Sequence, residues 1–597
     1  MKNKIFYTFL SLLIFNYCFG QTHNKIKSQT KLKIDERYIS LLKKSKVVGA
    51  SIAIVDDGAI VYSQGYGFSD REKGIKADDK TIYQTGSCAK SFTALSIMQL
   101  HEKGKLYIKN SIKDYLPEFT MYNRFDAENN IYIEDILNHT SGIPSDVMNG
   151  IMGDAPPTAD WLIGELNKQN TIAPRRYKQA YSNAGYAVLG EAIARVGEAE
   201  SYSSYVKEHI FSPLKMTSSY INHDAELAKD FSKGYLKKKE YQEPLIRDKA
   251  AGMVHSNVLD MSNFMKMLLN DGKFEGKQII STDALNEMEK DRTPSHLLPA
   301  EGAAGYGYGL GIHHLFVANG GDTTTAKMFG HNGNTLIYHA NYKYIPELKV
   351  GVVILTNTDT GPLIYNGSSL LDLYLIEEKG ISIEVDDRVK VVDVEKIKKE
   401  KVLSFDEYQG FYAVPSATFN VQKEGKVKFK IEGTKIVLKK KKEADQYSFT
   451  AKLLGFIPIK IKELKGSFVK YEGQTYFRIV ENNQAQYMGV KIRPKSISRD
   501  WKNANGKYKR TGKLFPCKTC TKQLRFDDLK IKISEENGFI LLETFGKSEA
   551  GNQRYYLDLL SEKNAVTLGI GRNSGITVKI LENGNIYFDG FEFLKNK

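Results

Sequence analysis

A chain of 597 residues is too long for one hydrophobic core, so more than one domain is expected. Its 41% hydrophobic and 26% charged content is that of an ordinary globular protein, and four cysteines are too few for a disulfide scaffold. The formal charge of +15 is uneven: residues 391–597 hold 40 Lys and Arg against 24 Asp and Glu, whereas the rest holds 45 against 46.

Residues 1–20 read as an export signal. Lys2 and Lys4 precede an apolar run at 5–15, and Cys18-Phe-Gly20 supplies small residues before a cut near Gly20. The mature chain is then expected in the periplasm or outside the cell. That run, about 11 residues long, is too short to span a bilayer, and no other stretch is long enough. The β-rich runs 51–55 and 59–62, joined by Asp56-Asp57-Gly58, predict a hairpin.

The stretch YQTGSCAKSFTALSIMQLHEK (83–103) predicts a helix, with Phe92, Leu95 and Met98 at helical spacing and Gly104 as its stop. Ser87 falls in the first turn and Lys90 three residues later, so hydroxyl and amine share a face. Unpaired backbone N–H groups at a helix start also form a cradle for developing negative charge. One turn thus combines a nucleophile, a proton acceptor and part of an oxyanion site. Alone, S-x-x-K is weak in a lysine-rich chain.

Further helices are predicted at 132–138, from Asn183 to Gly197, at 256–270 and at 363–376. A Gly-rich stretch follows at 305–312, then strands at 335–345 and 350–357 hinged at Pro346. Helices mixed with antiparallel hairpins indicate an α+β domain over 21–380, whose first and last strands pair in one sheet. Residues 381–403 are charged, without a sustained apolar face, and read as a linker. Residues 404–597 form short Lys/Val/Ile/Tyr/Phe strands broken by Gly or Asn, an all-β barrel or sandwich. YQGFY (408–412) and NGKYKR (505–510) hint at two similar halves. Cys517 and Cys520 suit a local disulfide or an unremarkable pair better than a metal site, because zinc needs about four ligands. The basic excess of this region fits a solvated surface or, functionally, attraction to an anionic cell-envelope surface. Nucleic acid is not an expected partner.

Three short motifs occur in order: SCAK at 87–90, YSN at 181–183 and HNG at 331–333. Around them stand GASIAIV, YLPEF, HTSGIP (139–144), AAGMVHSNVLDMSNF (250–264) and GVVILTN. Over residues 45–380 this set resembles the serine β-lactamase-related family of class C β-lactamases, D,D-peptidases, D-aminopeptidases and esterases. The resemblance implies a β-lactamase/transpeptidase-like fold with a helical subdomain, and a basic C-terminal region like the lipocalin-like barrels appended in some relatives.

It further implies that Ser87 is the acylated nucleophile and Lys90 its proton partner, with Tyr181 as a second proton-transfer residue. Asn183 would bind a substrate amide, and the backbone N–H groups of Ser87 and Asn334, beside Gly333, would form the oxyanion hole. His331 stands where β-lactamases carry Lys, open either to sharing protons with Tyr181 or to binding a substrate carboxylate. No cofactor or metal is implied. Without the resemblance, Tyr181 reads as a core aromatic and His331 as a loop histidine. HNG is the pattern of the family's peptidases and esterases more than of its efficient β-lactamases. The expectation is an exported serine hydrolase acting on a small peptide, amide or ester, a D-amino-acid peptidase, carboxypeptidase or esterase. A penicillin-binding sensor or scaffold with little turnover, or a true β-lactamase, is the alternative.

Overall fold

The computed structural model describes residues 26–596 apart from short stretches, the longest being 222–230, 294–304, 360–366, 386–400 and 512–527. The expected export signal and the Cys517/Cys520 pair lie outside the described residues.

The chain enters on α1 (Ser28–Ser45), a helix not expected from the sequence, which buries Ile34, Tyr38 and Leu42 at i, i+4 and i+8. β1 (Gly49–Asp56) and β2 (Ala59–Asp70) follow as the expected hairpin. Its turn residues Asp57 and Gly58 both take positive φ, the geometry that matches strand twist. α2 (Ala89–Glu102), α3 (Asn183–Val196) and α4 (Val258–Leu269) lie where apolar periodicity put them. β3 (Gly311–Asn319), β4 (Asp322–Asn334), β5 (His339–Ile345), β6 (Val350–Thr356) and α5 (Gly367–Lys379) complete the domain. The strand expected at 335–345 begins only at His339. Thr335 Oγ1 accepts the N–H groups of Ile337 and Tyr338, and that local turn displaces the first four residues from the ladder.

The antiparallel sheet runs β3–β4–β5–β6–β1–β2, with Gly305–Tyr306 and Ile75–Lys76 as short end strands. β1 and β6 pair as expected, Ile52 opposite Ile354 and Ala53 opposite Val353. Strand alternation then feeds two cores. Ala53, Val55, Val353 and Leu355 pack with α2 and α4, while Ile52, Ile54, Val352 and Ile354 pack with α1 and α5. Both faces being covered explains why these strands read as nearly unbroken apolar runs.

The interval 381–403 is not a plain linker. Its start is β7 (Ile381–Val385), which pairs with β3 and presents Ile381, Ile383 and Val385 to the second core. Ser382 and Glu384 alternate with them on the other face.

Beyond it stand two β units, a nine-stranded antiparallel sheet over 401–492 and a closed eight-stranded barrel over 506–595. Each opens in the same way. A short helix (Phe405–Tyr408; Arg499–Asn503) leads through a positive-φ glycine (Gly410; Gly506) into a first strand, β8 (Gly410–Val414) or β10 (Gly506–Thr511). The tyrosine of that strand donates back to the carbonyl four residues earlier, Tyr412 to Tyr408 O and Tyr508 to Ala504 O, both at 2.6 Å. The first strand pairs with the last, β9 (Gln484–Ile492) or β12 (Phe591–Lys595). A lysine of that last strand caps the helix, Lys491 on Glu407 O and Lys595 on Asn503 O. The two phrases YQGFY and NGKYKR thus mark equivalent places in two related units. The first rolls without closing: its edge strands, Ala417–Val421 and Lys426–Ile431, are consecutive in the chain yet share no ladder.

Candidate functional site

The site forms where the start of α2, the start of α3 and the end of β4 meet. Before α2 a tight turn, Gly86–Cys88, carries Ser87. Gly86 has φ +53°, and a side chain there would come within 2.8 Å of the Asn334 nitrogen. At Gly333 a Cβ would lie 1.8 Å from the Thr85 carbonyl oxygen. Two glycines therefore let the β4 backbone close onto the serine turn, which sets the Asn334 amide beside residues 86–87.

Lys90 is fully buried, and its amine is the hub. Nζ lies 3.2 Å from Ser87 Oγ, 2.8 Å from Asn183 Oδ1 and 2.8 Å from the Ala251 carbonyl oxygen. The last two can only accept. A neutral amine has two N–H donors, which can serve these two acceptors, and one lone pair able to take the Ser87 hydroxyl proton. Once protonated, the ammonium would donate to all three. The Tyr181 ring lies under the amine with its centroid at 4.6 Å, and the Tyr186 ring at 5.5 Å, where π faces stabilise the charged form.

Tyr181 is held from behind by His139, whose ring packs on it at 4.3 Å. His139 sits at φ +65°, and its Nδ1 accepts the Ser182 N–H at 3.1 Å, so that nitrogen carries no proton. It stabilises the turn beneath the tyrosine. Ser182 caps α3, its Oγ accepting from Gly185 N–H and donating to Pro144 O. Asn183 follows in the first turn of α3, its side-chain carbonyl on Lys90 and its amide NH₂ donating to Asp146 Oδ1 at 2.8 Å. Because a carboxylate only accepts, this contact fixes which end of the amide faces the lysine.

His331 lies on β4, its ring centroid 6.3 Å from that of Tyr181. Its Nδ1–H donates to the Asn332 carbonyl at 2.6 Å. Burial, helped by the Lys90 charge, pushes its pKa down to about 3, so the ring is neutral with a lone pair on Nε2. Of the two roles open to it from the sequence, holding a substrate carboxylate by charge does not fit this state. Asn334 is exposed, and its side chain is occupied by the His339 Nδ1–H. Cys88 points away from Ser87, its thiol on the His331 carbonyl and its pKa raised by burial to about 12. It is inert packing.

The structure thus gathers Ser87, Lys90, Tyr181, Asn183, His331, Gly333 and Asn334 into one place. Sequence reading missed two members. Asp146 follows HTSGIP by two residues and carried no signal of its own, and the Ala251 carbonyl belongs to a quoted segment to which no chemistry had been attached.

A model of the beta-lactamase family matches residues 34–369, more than half of the chain. The putative penicillin-binding protein PbpX of Bacillus subtilis is 32% identical over 255 residues, 41% of this chain and 62% of that protein. Protein flp of Staphylococcus aureus is 27% identical over 259 residues, 41% of this chain and 50% of flp. The chain therefore spans about half to three-fifths of the length of these relatives. Among solved structures, the octameric penicillin-binding protein homologue from Pyrococcus abyssi aligns at 27% identity with a TM-score of 0.50, over 77% of this chain and 99% of that one. SurE, solved with D-Leu, aligns at 18% identity and a TM-score of 0.56 over 77% of this chain and 100% of that one, a likeness of fold alone.

Proposed function

Because the chain belongs to the beta-lactamase family, we propose that it is a serine hydrolase that passes through an acyl-enzyme on Ser87 and cleaves small esters or amides, including those of D-amino acids. The observation that carries this reading is the buried amine of Lys90, held at 2.8 Å by two acceptor-only groups and set 3.2 Å from Ser87 Oγ. In the forward step Ser87 Oγ bonds to the substrate carbonyl carbon while its proton passes to Lys90 Nζ. The oxyanion forms against the Ser87 and Asn334 amides, each such donor being worth roughly 10²–10³ in rate. Collapse expels the leaving group, which takes a proton relayed from Lys90 by way of Tyr181. Water then adds to the acyl ester, its proton returning through the same groups, and releases the acid and free Ser87.

Neutral His331 favours substrates without a free carboxylate at this position, hence esterase or aminopeptidase chemistry over carboxypeptidase chemistry. A second reading rests on a name. The relative of 32% identity is called a putative penicillin-binding protein, which suits a chain that acylates and barely turns over. Export by the N-terminal segment, and contact of the basic C-terminal third with an anionic envelope surface, complete the proposal.

Intact mass after exposure to short-chain esters, D-amino-acid amides and a penicillin tests it. Ester or amide turnover with a transient acyl adduct, absent in Ser87→Ala, supports hydrolysis. A permanent penicillin adduct without ester turnover supports the second reading. No adduct with any of the three removes both.

A further inference from the structure

The barrel grips the loop that carries Asp146. Its last hairpin, β11 (Ile586–Phe588) to β12, turns at Asp589-Gly590, both at positive φ. The Met148 N–H donates to Asp589 Oδ1 at 3.2 Å, and Asn149 Nδ2 donates to the Gly590 carbonyl at 2.9 Å. A Cβ on Gly590 would lie 2.6 Å from Val147, so the turn is pressed onto the loop and only glycine fits. The Met148 side chain packs against the barrel core.

On its other side the same loop is held by Arg247, which donates to the carbonyls of Val147 and Asn149 and is itself paired with Asp248. Within the loop, the Ser145 carbonyl accepts the N–H groups of Asn183 and Ala184, and the Asp146 carboxylate accepts from the Asn183 amide. A continuous path of contacts therefore runs from the barrel turn through residues 145–149 to Asn183, Lys90 and Ser87.

We propose that Asp146 and Asp589 form a positioning pair, by which the docked barrel sets the orientation of Asn183 and thereby the aim of the Lys90 amine at Ser87. The barrel is then part of the active centre rather than an appendage. The inference rests on the serine-hydrolase reading for its kinetic consequences, but not for its structural ones. The groups around Asp589 are the negative Asp146, the positive Arg247 with its partner Asp248, the Met148 N–H, and the barrel's own Tyr555 and Tyr587. Burial, with the Asp146 charge adding to it, pushes the Asp589 carboxyl up to about 7, so the junction changes charge near neutral pH.

The test compares full-length wild type, Asp589→Asn, Asp589→Ala, Asp146→Asn and the double variant Asp146→Asn/Asp589→Asn. Asparagine tolerates positive φ and keeps an acceptor for Met148, so Asp589→Asn retains the turn while removing its titration. Acylation by a short-chain ester is followed against pH, with kcat and KM separated and melting recorded alongside. In wild type an inflection near pH 7 is expected, lost in Asp589→Asn. In Asp589→Ala kcat falls about tenfold with KM little changed, below the roughly hundredfold cost of an ångström-scale misplacement. The two asparagine substitutions combine non-additively in kcat. Titration of the Lys90 amine by NMR, with Lys90→Arg to assign its signal, is expected to differ in midpoint between wild type and Asp589→Ala. Unchanged kcat, additive effects or an identical Lys90 titration overturn the pair. If wild type takes up no acyl group, the hydrolase reading has failed, and the Lys90 titration alone still decides the positioning pair.

Discussion

Two polar junctions lie on either side of residues 144–149, and they are wired in opposite ways. Around Lys90 a buried amine meets uncharged groups, an amide oxygen, a carbonyl and a hydroxyl, over two aromatic faces. Around Asp589 a buried carboxyl takes the Met148 N–H within the field of the Asp146 carboxylate, with an arginine already committed to Asp248 and to two carbonyls. The first junction sets an amine 3.2 Å from the Ser87 hydroxyl, the proposed nucleophile. The second leaves a proton whose affinity depends on docking.

Loss of the Lys90 amine should cost the most. Lys90→Met is expected to lower the acylation rate by about 10²–10⁴-fold, the usual range for a general base, with KM for a small ester changed far less. Single-turnover mass measurement reads this, and a rate within twofold of wild type would remove Lys90 as proton acceptor. Making the first junction resemble the second comes next. Asn183→Asp puts a carboxylate on the amine, which holds the lysine charged up to higher pH. Roughly tenfold or more of the rate at pH 7 should be lost and recovered as pH rises. A pH–rate profile that keeps its shape would show that Asn183 does not set the state of Lys90.

A smaller effect follows from the second junction. The Asp589 carboxyl is raised to about 7 from the usual carboxylate value near 4. Between those limits the folded protein keeps a proton that the unfolded chain has released. Unfolding free energy therefore has a negative slope with pH in that window. The contribution is full below about 4 and lost as pH rises through about 7. Melting temperature measured from pH 4 to 8 should show Asp589→Asn with a flatter decline than wild type. Parallel curves would mean that Asp589 does not titrate there. The smallest expected change sharpens the view of the barrel as a stable support. Tyr508→Phe and Tyr412→Phe each remove a hydroxyl bond to a backbone carbonyl, costing about 1 kcal/mol apiece. Denaturant unfolding checks whether the two β units lose alike, as their shared entry implies.

Much of the beta-lactamase-family domain was legible because its signals are local. The Ser87 turn, the α3 start at Asn183 and the β1–β2 hairpin each declare themselves within a few residues, through periodicity, a cap or a turn pair. What was not legible depends on partners far away in the chain. β7 passed for a linker because its three apolar residues are paired only against β3, some seventy residues earlier. His331 could not be assigned a charge before its burial beside Lys90 was known, and that burial is what makes it neutral. Asp146 looked like any loop aspartate.

The order of residues alone marked out the serine turn, the amine one helical turn on, the two β-rich ends of the first sheet and the start of each C-terminal unit, since all of these are written in spacings of one to four residues. Folding in three dimensions settles which carbonyl lies against the lysine, which tautomer the histidine adopts, and that a barrel turn more than four hundred residues downstream holds the loop behind Asn183. Hydrogen-bond partners and dielectric surroundings are properties of position in space, and no local pattern encodes them.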